Sequence, residues 1–176
     1  KKWEEIKEIY EQYKKRNIIL SVLVIDYYHW TADGDFEFDK RYWQGIEDFA
    51  KELKAAGTQL MVSLWPTVTA ESKYFDYYKD NHLCIRGVNN KDDLFAGKML
   101  LDFFHPETKK HLRKVLDKNY RDQGINLFWA DQAEPEMDYY QHNDYLVYDG
   151  SLERYANKYP YHYLKGINNH ANSQPT

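Results

Sequence analysis

Hydrophobic residues follow two different spacings along this chain, and together they predict alternating helices and strands. Apolar residues at helical spacing predict helices over residues 3–16, 44–56, 105–121 and 152–167. Nearly unbroken apolar runs predict buried strands over residues 18–25, 60–65 and 125–130. Weaker patterns predict a short helix over 71–78, a short strand over 99–103, and loops over 31–40, 81–98 and 131–150.

The order of these elements predicts an α/β fold. Strands that alternate with helices form right-handed βαβ units, and such strands lie parallel in one sheet. A complete (β/α)8 barrel has eight strands and usually about 250 residues, whereas this chain has 176 residues and three well-marked strands. We therefore expect a partial TIM (β/α)8 barrel over residues 1–167, followed by a polar tail over residues 168–176.

Each predicted strand ends in a residue suited to binding or chemistry, and these residues are Asp26, Trp65 and Asp131. In barrels of this type, ligands bind at the C-terminal ends of the strands. Asp131 is followed by Glu134 and Glu136, and carboxylates this close repel one another, which a purely structural loop rarely tolerates. A solvated acidic turn explains the spacing of these residues equally well.

The composition favours some partners over others. The formal net charge is -4 and no Lys/Arg cluster offers a phosphate-binding stripe, which argues weakly against nucleic acid as the main partner. An aromatic share of 17% suits stacking on flat partners such as sugar rings, although half-buried packing explains most of these rings equally well. The single Cys84 excludes an internal disulfide, and nothing near it resembles a metal or redox motif, so we predict no metal and no cofactor.

The sequence offers no signal for a membrane. No apolar run approaches the length of a membrane span, and residues 1–4 do not resemble a signal peptide. We therefore predict no membrane partner, and the compartment stays open.

Three sequence blocks, taken together, resemble glycoside hydrolase family 31, the family of the α-glucosidases and α-xylosidases. The blocks are VIDYYHW at 24–30 with GDFEFD at 34–39 and YW at 42–43, then LMVSLWPTV at 60–68, and finally FWADQAEPE at 128–136. They follow the family's order and resemble its second, third and fourth barrel strands. The resemblance covers nearly the whole chain, and the last block is most similar to the α-xylosidase-like branch.

The resemblance implies a retaining glycoside hydrolase with Asp131 as its catalytic nucleophile. By matching position, Asp26 is implied to hydrogen-bond the sugar hydroxyls, although a carboxylate that braces a loop is the structural alternative. The other implied substrate-binding residues are Trp65 and Trp129 as walls of that subsite, His29 and Trp30 at its mouth, and Glu134 as an acid that positions its neighbours. For both wall tryptophans, ordinary core packing is the alternative.

The sequence departs from the family at the general acid/base. The family carries this residue on a later strand, and none of Asp138, Asp144 and Asp149, which follow the nucleophile block, matches its motif. General acid assistance is typically worth roughly 10² to 10⁴ in rate, so we expect little hydrolysis by this polypeptide alone.

Two other functions stay open at this level. A non-catalytic carbohydrate-binding remnant would keep Asp26 and the tryptophan walls but cleave nothing. An unrelated acid-rich barrel would use Asp26, Asp131 and Glu134 as metal ligands, although His pairs at suitable spacing do not accompany them. In every case an open three-stranded sheet exposes unpaired edges, so we expect the chain to need neighbouring strands or self-association.

Overall fold

The computed structural model of the chain describes residues 2–89, 97–134 and 142–168. The chain divides into two compact units. The first comprises Lys1–Thr31, Phe36–Leu64 and Leu116–Asp131, and the second comprises Ala32–Asp35, Trp65–Val115 and Gln132–Thr176.

The described helices and strands alternate along much of the chain. In chain order the elements are α1 (Trp3–Lys15), β1 (Val22–Ile25), α2 (Ile46–Ala55), β2 (Gln59–Leu64), β3 (Thr67–Val68), α3 (Phe75–Asp80), β4 (Arg86–Gly87), β5 (Met99–Leu100), α4 (Pro106–Asn119), β6 (Leu127–Ala130), β7 (Tyr145–Val147), β8 (Gly150–Ser151), α5 (Leu152–Tyr155) and α6 (Tyr159–Ile167). Within the described ranges, no helix is long and apolar enough to cross a membrane.

A parallel sheet forms the centre of the first unit. Its described strand order is β1–β2–β6, with Ile25 opposite Val62 and Val62 opposite Phe128. Because side chains alternate along a strand, Ile25, Val62 and Leu64 share one face, and all three are fully buried. On the same face, the Phe128 ring lies against Tyr120, which follows α4, with ring centroids 5.8 Å apart.

The helices of the first unit pack through the apolar stripes that the sequence predicts. Phe49 of α2 lies against Trp3 and Tyr10 of α1, with ring centroids 6.4 Å and 5.9 Å away. Glutamates occupy the first turn of α1 and lysines occupy its last turn, which suits the helix dipole.

Small antiparallel sheets and α6 organise the second unit. Strand β3 pairs with β5, while β7 pairs with both β4 and β8. The core here is aromatic, since Phe103 stacks on Tyr163 with ring centroids 4.7 Å apart. The buried Tyr159 hydroxyl donates a hydrogen bond to the carbonyl oxygen of Leu101 at 2.8 Å, which ties α6 to the end of β5.

The described strands form no closed barrel, as the predicted partial barrel requires. The predicted strand over 18–25 begins only at Val22, because Asn17 adopts a left-handed φ of 55° and the backbone pairing with β2 starts at the carbonyl of Ser21. Ile19, predicted to be buried, is 92% exposed.

Other boundaries also differ from the sequence predictions. The predicted loop over 131–150 contains β7 and the first residue of β8, and the predicted loop over 81–98 contains β4. The predicted helix over 152–167 is two helices separated by a 3-10 turn at Ala156–Lys158, since Pro160 fits only the first turn of a new helix. The short helix predicted over 71–78 lies at Phe75–Asp80. Apart from Asn168, the predicted polar tail lies outside the described residues.

Candidate active site

Two carboxylates follow the C-terminal ends of the outer described strands of the parallel sheet. Asp26 comes directly after β1 and Asp131 directly after β6, and both belong to the first unit. The backbone N–H of Asp131 donates to the carbonyl oxygen of Leu64 at 3.0 Å, so Asp131 is still anchored to β2. The next residue, Gln132, has a φ of 56°, which turns the chain away from the sheet.

Both carboxylates fall on the sheet face opposite the buried one. Strand alternation places Asp26 and Trp129 on that face, and Asp131, two residues after Trp129, shares it. With strands about 4.8 Å apart and residues about 3.3 Å apart along a strand, the two aspartate Cα atoms are roughly 12 Å apart. Two short side chains at that separation leave space for one sugar ring between them.

The exposure of these side chains fits a binding face. Asp26 is exposed, Asp131 is half-buried, and the Trp129 indole is 51% exposed. A large aromatic ring left half in solvent beside carboxylates is unusual for core packing and common where ligands bind. The interpretation of Trp129 as a packing residue is therefore not favoured.

Two exposed tyrosines next to Asp26 belong to the same region, although neither is among the site residues predicted from the sequence. Tyr27 and Tyr28 lie against each other with ring centroids 5.4 Å apart, and the Tyr27 N–H donates to the Asp26 carboxylate at 2.7 Å. Tyr28 also lines a cleft of about 340 Å³ in the first unit. The sequence feature that could have indicated these two tyrosines is their position directly after a carboxylate at a strand end.

His29 and Trp30 are placed differently from the other predicted site residues. They are only 1% and 3% exposed. The His29 imidazole Nε2 lies 2.7 Å from the Tyr120 hydroxyl, and its ring packs on Phe38. Their described contacts hold the segment after β1 on the core, and direct contact of either side chain with sugar stays a prediction that this burial does not favour.

Trp65 and Glu134 belong to the second unit. Trp65 follows β2 directly and is half-buried, with the Lys98 ammonium 4.9 Å from its ring centroid. Glu134 is exposed. Glu136 and Asp138, which follow it in the sequence, lie outside the described residues.

A strongly perturbed acid of the second unit is not one of the predicted site residues. Burial raises the pKa of Asp102 to about 6, and the backbone N–H groups of Phe104 and Tyr148 donate to its carboxylate at 2.9 Å and 2.6 Å. Asp102 therefore joins the start of α4 to the β7–β8 hairpin. In the first unit, the Arg41 guanidinium, 2.7 Å from Asp39, lowers the pKa of that carboxyl.

The described residues show no arrangement for a metal ion. Among residues 2–89, 97–134 and 142–168, no group of three or more His, Cys, Asp or Glu side chains is close enough together to hold one. Asp26, Asp131 and Glu134 thus do not gather as the acid-rich metal barrel would need.

Comparisons with known proteins identify the family of the chain. A model of the glycosyl hydrolases family 31 TIM-barrel domain matches residues 1–175. Over 167 residues the chain is 36% identical to an uncharacterized family 31 glucosidase, ORF2, of Pseudescherichia vulneris, covering 93% of this chain and 32% of that protein. Alpha-xylosidase A of Aspergillus niger is 33% identical over 135 residues, which are 74% of this chain and 18% of that protein.

Solved structures give the same result. A GH31 alpha-xylosidase from a soil metagenome, complexed with xylose, superposes with a TM-score of 0.87 at 33% identity, covering 94% of this chain and 25% of that one. The GH31 dextranase of Flavobacterium johnsoniae, at 20% identity and a TM-score of 0.85 over 94% of this chain and 22% of that one, shares the fold.

Parallel strands that alternate with helices and form an open sheet define part of a (β/α) barrel. The chain belongs to glycoside hydrolase family 31 and forms part of its TIM-barrel domain. The predicted fold class and family are thereby confirmed.

Proposed function

We propose that this chain is the part of a retaining α-glycoside hydrolase that carries the nucleophile, and that the nucleophile is Asp131. The observation that carries the proposal is the placement of Asp26 and Asp131 at the C-terminal ends of β1 and β6, on the sheet face that also presents Trp129. The named relatives include α-xylosidases and an α-glucosidase, so the proposed substrate is an α-xyloside or an α-glucoside.

Each residue has a distinct proposed role. The Asp26 carboxylate accepts hydrogen bonds from sugar hydroxyls, which is the stronger, charge-assisted kind of hydrogen bond. Trp129 and Trp65 supply apolar surface for the C–H side of the sugar ring. Glu134 is an acid that positions its neighbours.

The proposed reaction has two steps. An Asp131 carboxylate oxygen bonds to the anomeric carbon as the glycosidic C–O bond breaks, and the leaving oxygen takes a proton from a general acid. Water then attacks the anomeric carbon of the glycosyl ester, gives its proton to the same group acting as a base, and releases the sugar and the free carboxylate.

The lack of a matching proton donor limits the rate of hydrolysis that we expect from this polypeptide alone. No stretch of the printed sequence matches the family's acid/base motif, so a poor leaving group would depart without a proton. We expect slow or undetectable hydrolysis of ordinary glycosides by the isolated chain, since general acid assistance is typically worth roughly 10² to 10⁴ in rate.

Sugar binding tests the proposal without requiring turnover. D-Xylose and D-glucose are titrated into the protein while backbone amide resonances are followed by NMR. Asp26→Asn and Asp131→Asn each weaken binding by roughly tenfold or more, because each removes a charged acceptor. Asp122→Asn, which changes an exposed carboxylate of the same unit, leaves the affinity unchanged.

The outcomes separate the candidate functions. Failure of the wild-type protein to bind either sugar, or equal affinity in all three variants, contradicts the proposal. Sugar binding that depends on Asp26 but not on Asp131 favours the non-catalytic carbohydrate-binding remnant, for which the unmatched acid/base motif is the supporting observation.

A further inference from the structure

A short ribbon in the second unit connects Trp65 with a lysine far away in the sequence. Strands β3 and β5 pair antiparallel, with Thr67 opposite Leu100. Trp65 lies two residues before Thr67, and Lys98 lies two residues before Leu100. Cross-strand pairing and alternation place the side chain of Lys98 on the same face of the ribbon as Thr67. The Lys98 ammonium contacts the Trp65 ring, so Trp65 lies on this side as well.

A buried carboxylate lies on that face. Asp33 is 6% exposed, and one of its oxygens accepts a hydrogen bond from the Thr67 hydroxyl at 3.0 Å. The same oxygen forms an ion pair with the Lys98 ammonium. The ammonium is then 4.9 Å from the centroid of the Trp65 ring, within the range of a cation–π contact.

The backbone around Asp33 is itself fixed. Its carbonyl oxygen accepts the Thr69 N–H at 3.1 Å, and the Asp35 carboxylate accepts the Lys73 N–H at 3.0 Å. Gly34, between the two aspartates, approaches β3 so closely that a side chain there would meet Val68. The carboxylate that holds Lys98 is thus anchored to the strand that follows Trp65.

We propose that Asp33 and Lys98 are positioning residues for Trp65, and that they fix the orientation of its indole for stacking on an uncharged sugar. The inference rests on the proposed function, in which Trp65 contacts the substrate. An ammonium held over the ring restricts its rotation, and its charge is balanced by Asp33. The pair therefore orients the ring without creating a receptor for an anionic sugar.

The experiment uses the protein labelled with 5-fluorotryptophan, in which the Trp65 fluorine resonance is identified by its loss in Trp65→Phe. Lys98→Met shifts the Trp65 resonance and leaves the other tryptophan resonances in place. It also weakens D-xylose binding by roughly three- to tenfold, the range of a partly buried cation–π contact. Lys98→Arg keeps the Trp65 resonance and the D-xylose affinity of the wild type. The surface control Lys110→Met also changes neither the resonance nor the affinity.

A double variant separates positioning from direct sugar contact. If Lys98 acts through Trp65, Lys98→Met causes no further loss of D-xylose affinity in the Trp65→Phe background. A further loss of the same size would assign Lys98 a direct contact with sugar and overturn the positioning role. An unshifted Trp65 resonance in Lys98→Met would overturn it as well.

The proposed function and this inference fail in different ways. D-Xylose binding that Trp65→Phe weakens but Lys98→Met leaves intact rejects the positioning role alone. If the wild-type protein binds neither D-xylose nor D-glucose, the proposed function and the positioning role are both rejected.

Discussion

Gly34 is the residue at which the loop after β1 lies against β3. Its φ is 96°, and a Cβ there would lie 2.8 Å and 2.9 Å from the two methyl carbons of Val68 and 3.1 Å from its Cα. A methyl group can move when a side chain rotates, but the Cα of a paired strand residue cannot move freely. The neighbouring Asp33 reaches Thr67 and Lys98 because nothing occupies this space.

We predict that Gly34→Ala lowers the free energy of unfolding by about 2–4 kcal/mol, as the sum of left-handed backbone strain and overpacking. The matched control is Gly57→Ala. Gly57 has a φ of 82°, but no heavy atom lies within 4 Å of the position that a Cβ would take there, so only the backbone strain of about 1 kcal/mol remains. Urea unfolding of both variants measures the difference, and equal losses would contradict the packing argument.

The sequence placed the two proposed site carboxylates at strand ends, but it did not reveal the long-range contacts around them. Asp26 and Asp131 were identifiable because each follows an apolar run and ends a strand. The burial of His29 could not be identified in this way, because its hydrogen-bond partner Tyr120 is 91 residues away in the sequence. The pairing of Asp33 with Lys98 spans 65 residues, and a sequence pattern with period two or 3.6 carries no information about such contacts.

At the scale of elements, Asp102 joins the start of α4 to the turn of the β7–β8 hairpin. Its carboxylate accepts hydrogen bonds from the backbone N–H groups of Phe104 and Tyr148. Charged groups that act on it electrostatically include Arg86 of β4 and Lys109 of α4. Burial outweighs these favourable interactions and raises the pKa of Asp102 to about 6.

This raised pKa predicts a pH-dependent stability with a definite sign. Between the ordinary aspartate pKa of 3.8 and about 6, the folded protein binds more protons at Asp102 than the unfolded chain does. The contribution of Asp102 to the free energy of unfolding is therefore fully present below about pH 4. It is lost as pH rises through about 6, and the loss amounts to at most roughly 3 kcal/mol. Three half-buried histidines act in the opposite direction, since desolvation lowers the pKa of His105, His111 and His162.

The difference in the free energy of unfolding between the wild type and Asp102→Asn, measured as a function of pH, tests this prediction. The contributions of the histidines are nearly the same in both proteins and largely cancel in the difference. Asp102→Asn is less stable than the wild type at pH 4. Its side-chain amide has one oxygen and can accept a hydrogen bond from either the Phe104 N–H or the Tyr148 N–H, and its NH2 group then faces the other donor. The deficit shrinks as pH rises to 7. A difference that does not change with pH would contradict the raised pKa.

The elements themselves were predicted unequally. The helices α1, α2 and α4 follow strong helical periodicity, and the parallel strands follow nearly unbroken apolar runs, so local sequence indicates both. The sequence predicts a loop where the β7–β8 hairpin forms, because Tyr145–Val147 is short and its partner Arg86–Gly87 lies far back in the chain. Strands of two or three residues depend on tertiary pairing, so no local sequence pattern predicts them.

At the scale of the whole molecule, the first unit presents apolar surface at an open sheet. In the described part of the chain, β1 and β6 each pair only with β2. Ile18, which precedes β1, is 47% exposed, and Val22, the first residue of β1, is 36% exposed. Trp129 is 51% exposed on the sheet face. Unpaired strand edges with apolar neighbours promote association.

We predict that the isolated chain self-associates at micromolar concentration and that Val22→Lys, which places a charge at the β1 edge, shifts it towards monomer. Val88→Lys is the matched control, because Val88 is 56% exposed but belongs to the second unit. Sedimentation velocity measures the distribution. A wild-type protein that is a stable monomer would refute the expectation.

Covalent labelling by a 5-fluoro-α-glycosyl fluoride is the most direct test of the account. Fluoride leaves without a proton, so the nucleophile can react even where general acid assistance is lacking. The account predicts that an Asp131 oxygen displaces fluoride from the anomeric carbon, and that mass spectrometry finds the resulting glycosyl ester on the peptide containing Asp131 and not in Asp131→Asn. An ester on another carboxylate, or an unlabelled protein that still binds D-xylose, would contradict it.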